Sequence, residues 1–162
     1  TRDQYFSDEG SISGFINYII KNGKEDEMLI EKRDAVELWK EIELLAASIR
    51  MKDPKDEDYL KVSATYGRIK HELIRQIFII CLYGKKAEKE GVLEREKMKE
   101  AIGRYDSLWE EWKQFKTGHP ECATLYEPNA FKLTDMSGVI GDPRKGIGAT
   151  VDKYRKLIDG VK

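Results

Sequence analysis

The sequence is poor in the residues that build catalytic and metal centres. It has two histidines, His71 and His119, and two cysteines, Cys81 and Cys122, in 162 residues. A structural zinc site takes about four such ligands, so His119 and Cys122 together supply half of one. Carboxylate-bridged metal sites inside helical bundles need Glu-x-x-His on two helices. Arg68 and Lys116 stand where those glutamates would have to be. No metal and no cofactor is therefore expected. Two cysteines also make a poor disulfide framework. Cys81 lies in the apolar stretch Ile79–Leu82, where a reduced buried thiol is the plain expectation and a bridge to Cys122 the alternative.

Charge of one sign is lacking too. Lys and Arg number 29 against 30 Asp and Glu, a formal net charge of -1, without the basic excess of a nucleic-acid surface. The longest apolar run, around Ile77–Leu82, is far too short to cross a bilayer. Neither nucleic acid nor membrane is an expected partner. Thr1 opens a polar segment rather than a signal peptide, and the missing initiator Met points to an excised piece of a larger protein.

What is present is apolar periodicity between densely charged faces: 40% of the residues are hydrophobic and 36% charged. A short helix is expected over Phe15–Ile20, capped by Ser11 or Ser13 and stopped at Asn22–Gly23. A second runs from about Glu25 to Met51, burying Leu38, Ile42, Leu45 and Ile49, with Trp39 and Ala46 on the flank of that stripe. Asp53–Pro54 breaks it. A third helix spans roughly Asp56–Glu90. Its stripe is Val62, Tyr66, Ile69, Leu73, Ile77 and Ile80, broadened near the end by Phe78, Ile79 and Leu82. Gly67 and Gly84 inside it mark close packing or, at Gly84, an early stop. A fourth covers about Glu94–Lys116, with Met98, Ile102, Tyr105, Leu108, Trp109, Trp112 and Phe115 as its apolar face. Short connections make consecutive helices antiparallel neighbours.

The fold class is therefore all-α: an up-down-up bundle of three long helices with short flanking helices, in a single domain over residues 1–162. Between Glu121 and Gly148 periodicity fails, and Pro128, Pro143 and several glycines mark a long irregular loop. A short helix over Thr150–Val161, with Val151, Tyr154, Leu157 and Ile158 facing inward, ends the chain.

Candidate sites are few, and no catalytic residue is expected. His71 points away from the apolar stripe, about 200° around the helix from Ile69, and reads as solvated or ion-paired. Gly141–Gly148 superficially resembles a phosphate loop, but Ile147 and Val151 stand where the two standard patterns need Lys and Gly. It reads as a turn before a helix. Glu110 and Glu111 are adjacent, so their side chains diverge by about 100° and cannot flank one bond. Tyr105, Trp109 and Trp112 share a face that serves either as core or as a platform for sugar rings. Tyr126 and Glu127, on the long loop where function concentrates, are the candidates for ligand contact, together with Trp112.

Tyr5–Phe6–Ser7–Asp8, the short apolar helix ending in Ile20–Lys21–Asn22–Gly23, and Val36–Glu37–Leu38–Trp39–Lys40–Glu41–Ile42 form a suggestive series. With Tyr105–Asp106–Ser107–Leu108–Trp109–Glu110–Glu111–Trp112 and Cys122–Ala123–Thr124–Leu125–Tyr126, the pattern resembles the helical region after the catalytic barrel in bacterial glycoside hydrolases. The resemblance implies a carboxy-terminal accessory module of a secreted or periplasmic carbohydrate-active enzyme. Its partner would be the catalytic barrel of the same protein, with a glycan within reach of the loop. The family's catalytic acids belong to the barrel, so none is carried onto this chain. The alternative is a stand-alone helical interaction module.

Overall fold

The computed structural model describes residues 9–119 and 147–160. Five helices make up the architecture: α1 (Glu9–Lys21), α2 (Glu25–Ser48), α3 (Pro54–Glu90), α4 (Arg95–Gly118) and α5 (Ile147–Asp159). No strand occurs among the described residues, and the three long helices pack together as an all-α bundle. The loop expected between Glu121 and Gly148 falls outside the described residues except at its end, where Ile147 and Gly148 already belong to α5.

The ends of the helices follow from local chemistry. Asp53 caps α3, its carboxylate accepting the Lys55 N–H at 2.8 Å, and Pro54 sits in the first turn, where a missing N–H costs nothing. Gly91 closes α3 with φ +70°, and its N–H bonds to the Ala87 carbonyl at 3.0 Å. The expected start of α1 is corrected. The helix begins at Glu9, so Ser11 and Ser13 lie within it rather than capping it. Helix α2 ends three residues earlier than expected, at Ser48.

Helix α3 is the central element, contacted by each of the other four. Its expected stripe is buried apart from half-buried Tyr66, with Ile69 and Ile80 fully covered, and Phe78 and Leu82 on the flanks are buried too. A helix apolar on most sides needs neighbours on most sides. Helices α2 and α4 run antiparallel to it. The start of α2 meets the end of α3 through Glu25 and Lys86, while Trp39 further along lies on Gly67.

Both mid-helix glycines are explained by close approach. A Cβ at Gly67 would overlap the Trp39 ring, and one at Gly84 would overlap the Tyr154 ring of α5. Each glycine thus sacrifices about 1 kcal/mol of helix propensity to seat an aromatic ring against the α3 backbone. Gly84 is no helix stop.

One expectation is overturned. The α2 stripe Leu38–Leu45–Ile49 does not face the core, because these side chains are 57%, 64% and 40% exposed. The face turned inward carries Met28, Val36 and Ala46, with Trp39 half-buried among them. Leu157 of α5, expected inside, is likewise exposed, while Val151, Tyr154 and Ile158 are buried as expected.

Candidate functional site

Of the three residues singled out from the sequence as ligand contacts, Tyr126 and Glu127 lie outside the described residues. Trp112 is 8% exposed, its ring 5.3 Å from Tyr66 and 5.8 Å from Phe115. Tyr105 is buried and Trp109 packs against the core. Such burial favours the packing reading of this aromatic row, since a sugar would have to displace α3 to reach it. Burial also pushes the Tyr105 phenol well above its ordinary value of 10.0, as expected of a hydroxyl that stays neutral inside a bundle.

The remaining chemistry-bearing residues are dispersed. His71 stacks on the Trp39 ring at 5.4 Å, and His119 lies at the end of α4 with its ring 5.0 Å from Phe115. Cys81 is a buried thiol. Among the described residues no group of three His, Cys, Asp or Glu side chains is placed to hold a metal ion, and no helix is long and apolar enough to cross a membrane. Glu110 and Glu111 diverge as their adjacency requires: Glu110 accepts from Lys113, whereas Glu111 accepts from Arg68.

That last contact belongs to an ion-pair network which the sequence reading missed. Arg68, on α3, donates to Glu43 of α2 at 2.6 Å, to Glu111 of α4, and at 3.3 Å to Glu72 one turn along its own helix. Glu72, 5% exposed, also accepts from Arg104 of α4. Burial works against the Arg68 charge, but the hydrogen bonds to Glu111 and Glu43 outweigh it and raise the guanidinium above its ordinary range. One forked side chain thus straps three helices together. The only trace of this in the sequence was the Arg68–Glu72 spacing of four. Its interhelical partners, 25 and 43 residues distant, carry no local signature.

The feature that stands open to a partner is the outer strip of α2. At about 100° per residue, Leu38, Leu45 and Ile49 fall within roughly 40° of one another around the helix axis. Half-buried Ile42 joins the strip to the core, and Met51, 41% exposed, continues beyond the helix end. Asp34 and Glu41, both exposed and within about 60° of Leu38 around the axis, lie beside it on the polar flank. Covering the exposed parts of Leu38, Leu45 and Ile49 would gain on the order of 3 kcal/mol, enough to drive docking of a tethered neighbour but not of a dilute one. Comparison with protein families, with curated proteins and with solved structures finds no match for this chain.

Proposed function

We propose that this chain is a non-catalytic helical accessory domain of a carbohydrate-active enzyme, docking beside a catalytic barrel through the outer strip of α2. The observation that carries the docking part is the exposure of Leu38, Leu45 and Ile49 along one side of α2, while Met28, Val36 and Ala46 on another side are buried in the bundle. An apolar strip rimmed by polar residues is characteristic of a surface that meets another protein. The enzyme class rests on the resemblance of the segments at residues 5–8, 36–42, 105–112 and 122–126 to the region that follows a glycoside hydrolase barrel. On this reading the bundle supplies rigid support, Tyr126 and Glu127 supply the loop offered to the substrate groove, and hydrolysis is done by the barrel. The purified chain then turns over no glycan by itself.

The test begins with the coding sequence that flanks Thr1 and with the polypeptide it specifies. The expected result is a glycoside hydrolase barrel that co-elutes with this chain in gel filtration and separates from it when Leu38→Glu and Leu45→Glu are introduced together. A flanking sequence that specifies no barrel, or co-elution unaffected by the double substitution while circular dichroism stays helical, overturns the reading. The same strip would serve the alternative, a stand-alone interaction module. That alternative gains if the double substitution disrupts binding to a protein with no barrel.

A further inference from the structure

A second surface, on the other flank of α2, has a different chemistry. Helices α2 and α4 each pack on α3 and leave between them a furrow of about 730 Å³, floored by α3. The volume lies within the range of sites for small organic ligands, roughly 300–1,000 Å³. The strap from Arg68 to Glu43 and Glu111 spans all three helices just beyond the Glu72 end of the furrow. At the opposite end Ile79 and Tyr83 provide an apolar floor.

The furrow concentrates positive charge in a chain that is nearly neutral overall. Arg33 and Lys40 of α2, Arg75 of α3, and Lys97 and Arg104 of α4 line it, against the carboxylates of Glu72 and Glu100. Among the residues that line the furrow, cations thus outnumber carboxylates five to two. Four of the five cations have ion-pair partners. Arg33 pairs with Asp34, Lys40 with Glu37, Lys97 with Glu94 and Arg104 with Glu72. The first three are exposed pairs worth about 0–1 kcal/mol, so their heads re-aim at little cost. Arg75, half-buried on the floor, has no carboxylate within 4.0 Å among the described residues. A cleft lined mainly by one sign of charge focuses its field on what enters it. On the α4 wall Gly103 leaves the furrow unobstructed, for a Cβ there would meet nothing within 4 Å.

From these observations we infer that the furrow binds an extended organic anion. Its carboxylate or phosphate group would be held by Arg75 with Arg33 and Arg104, and a ring or hydrocarbon face would lie along Ile79 and Tyr83. Arg75 and Tyr83 are eight residues apart on α3, about 12 Å along the helix, so the ligand is longer than a single sugar ring or a free phosphate. An acidic oligosaccharide and a nucleotide share this chemistry. The inference stands on the furrow's charge and shape and is independent of how α2 docks.

Titration calorimetry on the whole chain at about 0.15 M salt, with trigalacturonate, ADP, cellotriose and inorganic phosphate as separate probes, tests it. One of the two organic anions is expected to bind with sub-millimolar affinity, and which of them binds identifies the source. Neutral cellotriose is expected to show no binding. Arg75→Gln should weaken binding about tenfold, the effect of losing one charge-assisted hydrogen bond. Gly103→Glu, which adds a carboxylate at an open helical position, should abolish it. Thermal melts check that both variants fold. Failure of both organic anions to bind overturns the inference. So does binding that survives both substitutions, or inorganic phosphate binding as tightly as the organic anion.

Discussion

Helices α2 and α3 are both long, both charged and both apolar at helical intervals, yet the bundle treats them differently. Fourteen of the 37 residues of α3 are buried, against three of the 24 in α2. The difference lies in position. Helix α3 has a neighbour on every apolar side, so each of its stripes finds cover. Helix α2 sits at the edge, where only one face can be covered, and it carries apolar residues on two. The surplus face of an edge helix is therefore the natural place for an external contact, whereas the central helix is committed to holding the bundle together.

Truncating each helix is the strongest way to break this comparison. Leu73→Ala on α3 should cost about 2–5 kcal/mol in urea unfolding, the range for a buried leucine, while Leu45→Ala on α2 should stay within about 0.5 kcal/mol. Similar losses at both positions would mean that the outer strip is covered in the isolated chain. Next in size is Arg68→Met. It leaves the buried Glu72 carboxylate with Arg104 as its one remaining cation among the described residues and removes the tie between α2, α3 and α4, for an expected loss of about 3 kcal/mol. Urea unfolding of Glu43→Gln, which cuts only the α2 branch of the strap, should show a smaller loss.

The glycines sharpen the comparison further. Gly84→Ala gains about 1 kcal/mol of helix propensity but forces a Cβ into Tyr154, which is 1% exposed and has no room to move. A net destabilisation of about 1–2 kcal/mol is expected. Gly103→Ala, in open space on α4, should instead raise the melting temperature through a gain of up to about 1 kcal/mol.

The smallest effect is electrostatic and concerns the seam between α3 and α5. Burial pushes the Glu88 carboxyl up, but hydrogen bonds from Lys153 and Lys85 outweigh it and hold it below the ordinary 4.5. A carboxylate depressed on folding contributes stability that is fully present above about pH 4.5 and is lost as the pH falls through its lower folded value. Because Glu88 is about one-third exposed, the contribution is about 1 kcal/mol or less. Glu88→Gln should flatten the acid limb of the stability curve by that amount and leave the plateau near neutral pH parallel to wild type.

Much of the fold was legible in the residues. The Val62–Ile80 stripe and its broadening at Phe78 and Leu82 gave α3 its extent to Glu90. The face of α4 from Met98 to Phe115 was likewise readable, and Tyr105 and Trp112 on it are buried. The candidate surfaces were far less visible. The Leu38–Leu45–Ile49 strip was seen as apolar but expected inside, and the cations of the furrow are scattered over three helices from Arg33 to Arg104 with no shared spacing.

Sequence alone placed the three long helices to within a few residues, because proline breaks, glycine stops and side-chain period are local signals, whereas the start of α1 was misplaced. Only tertiary structure decided which side of α2 is covered. Periodicity locates apolar faces around a helix's own axis, but the choice between two such faces depends on the shape that meets them. Here the bare backbone at Gly67 receives the Trp39 ring and turns Val36 and Ala46 inward. That rotation carries Leu38, Leu45 and Ile49 outward, and with the same contact surface α2 completes the cationic furrow on its opposite flank.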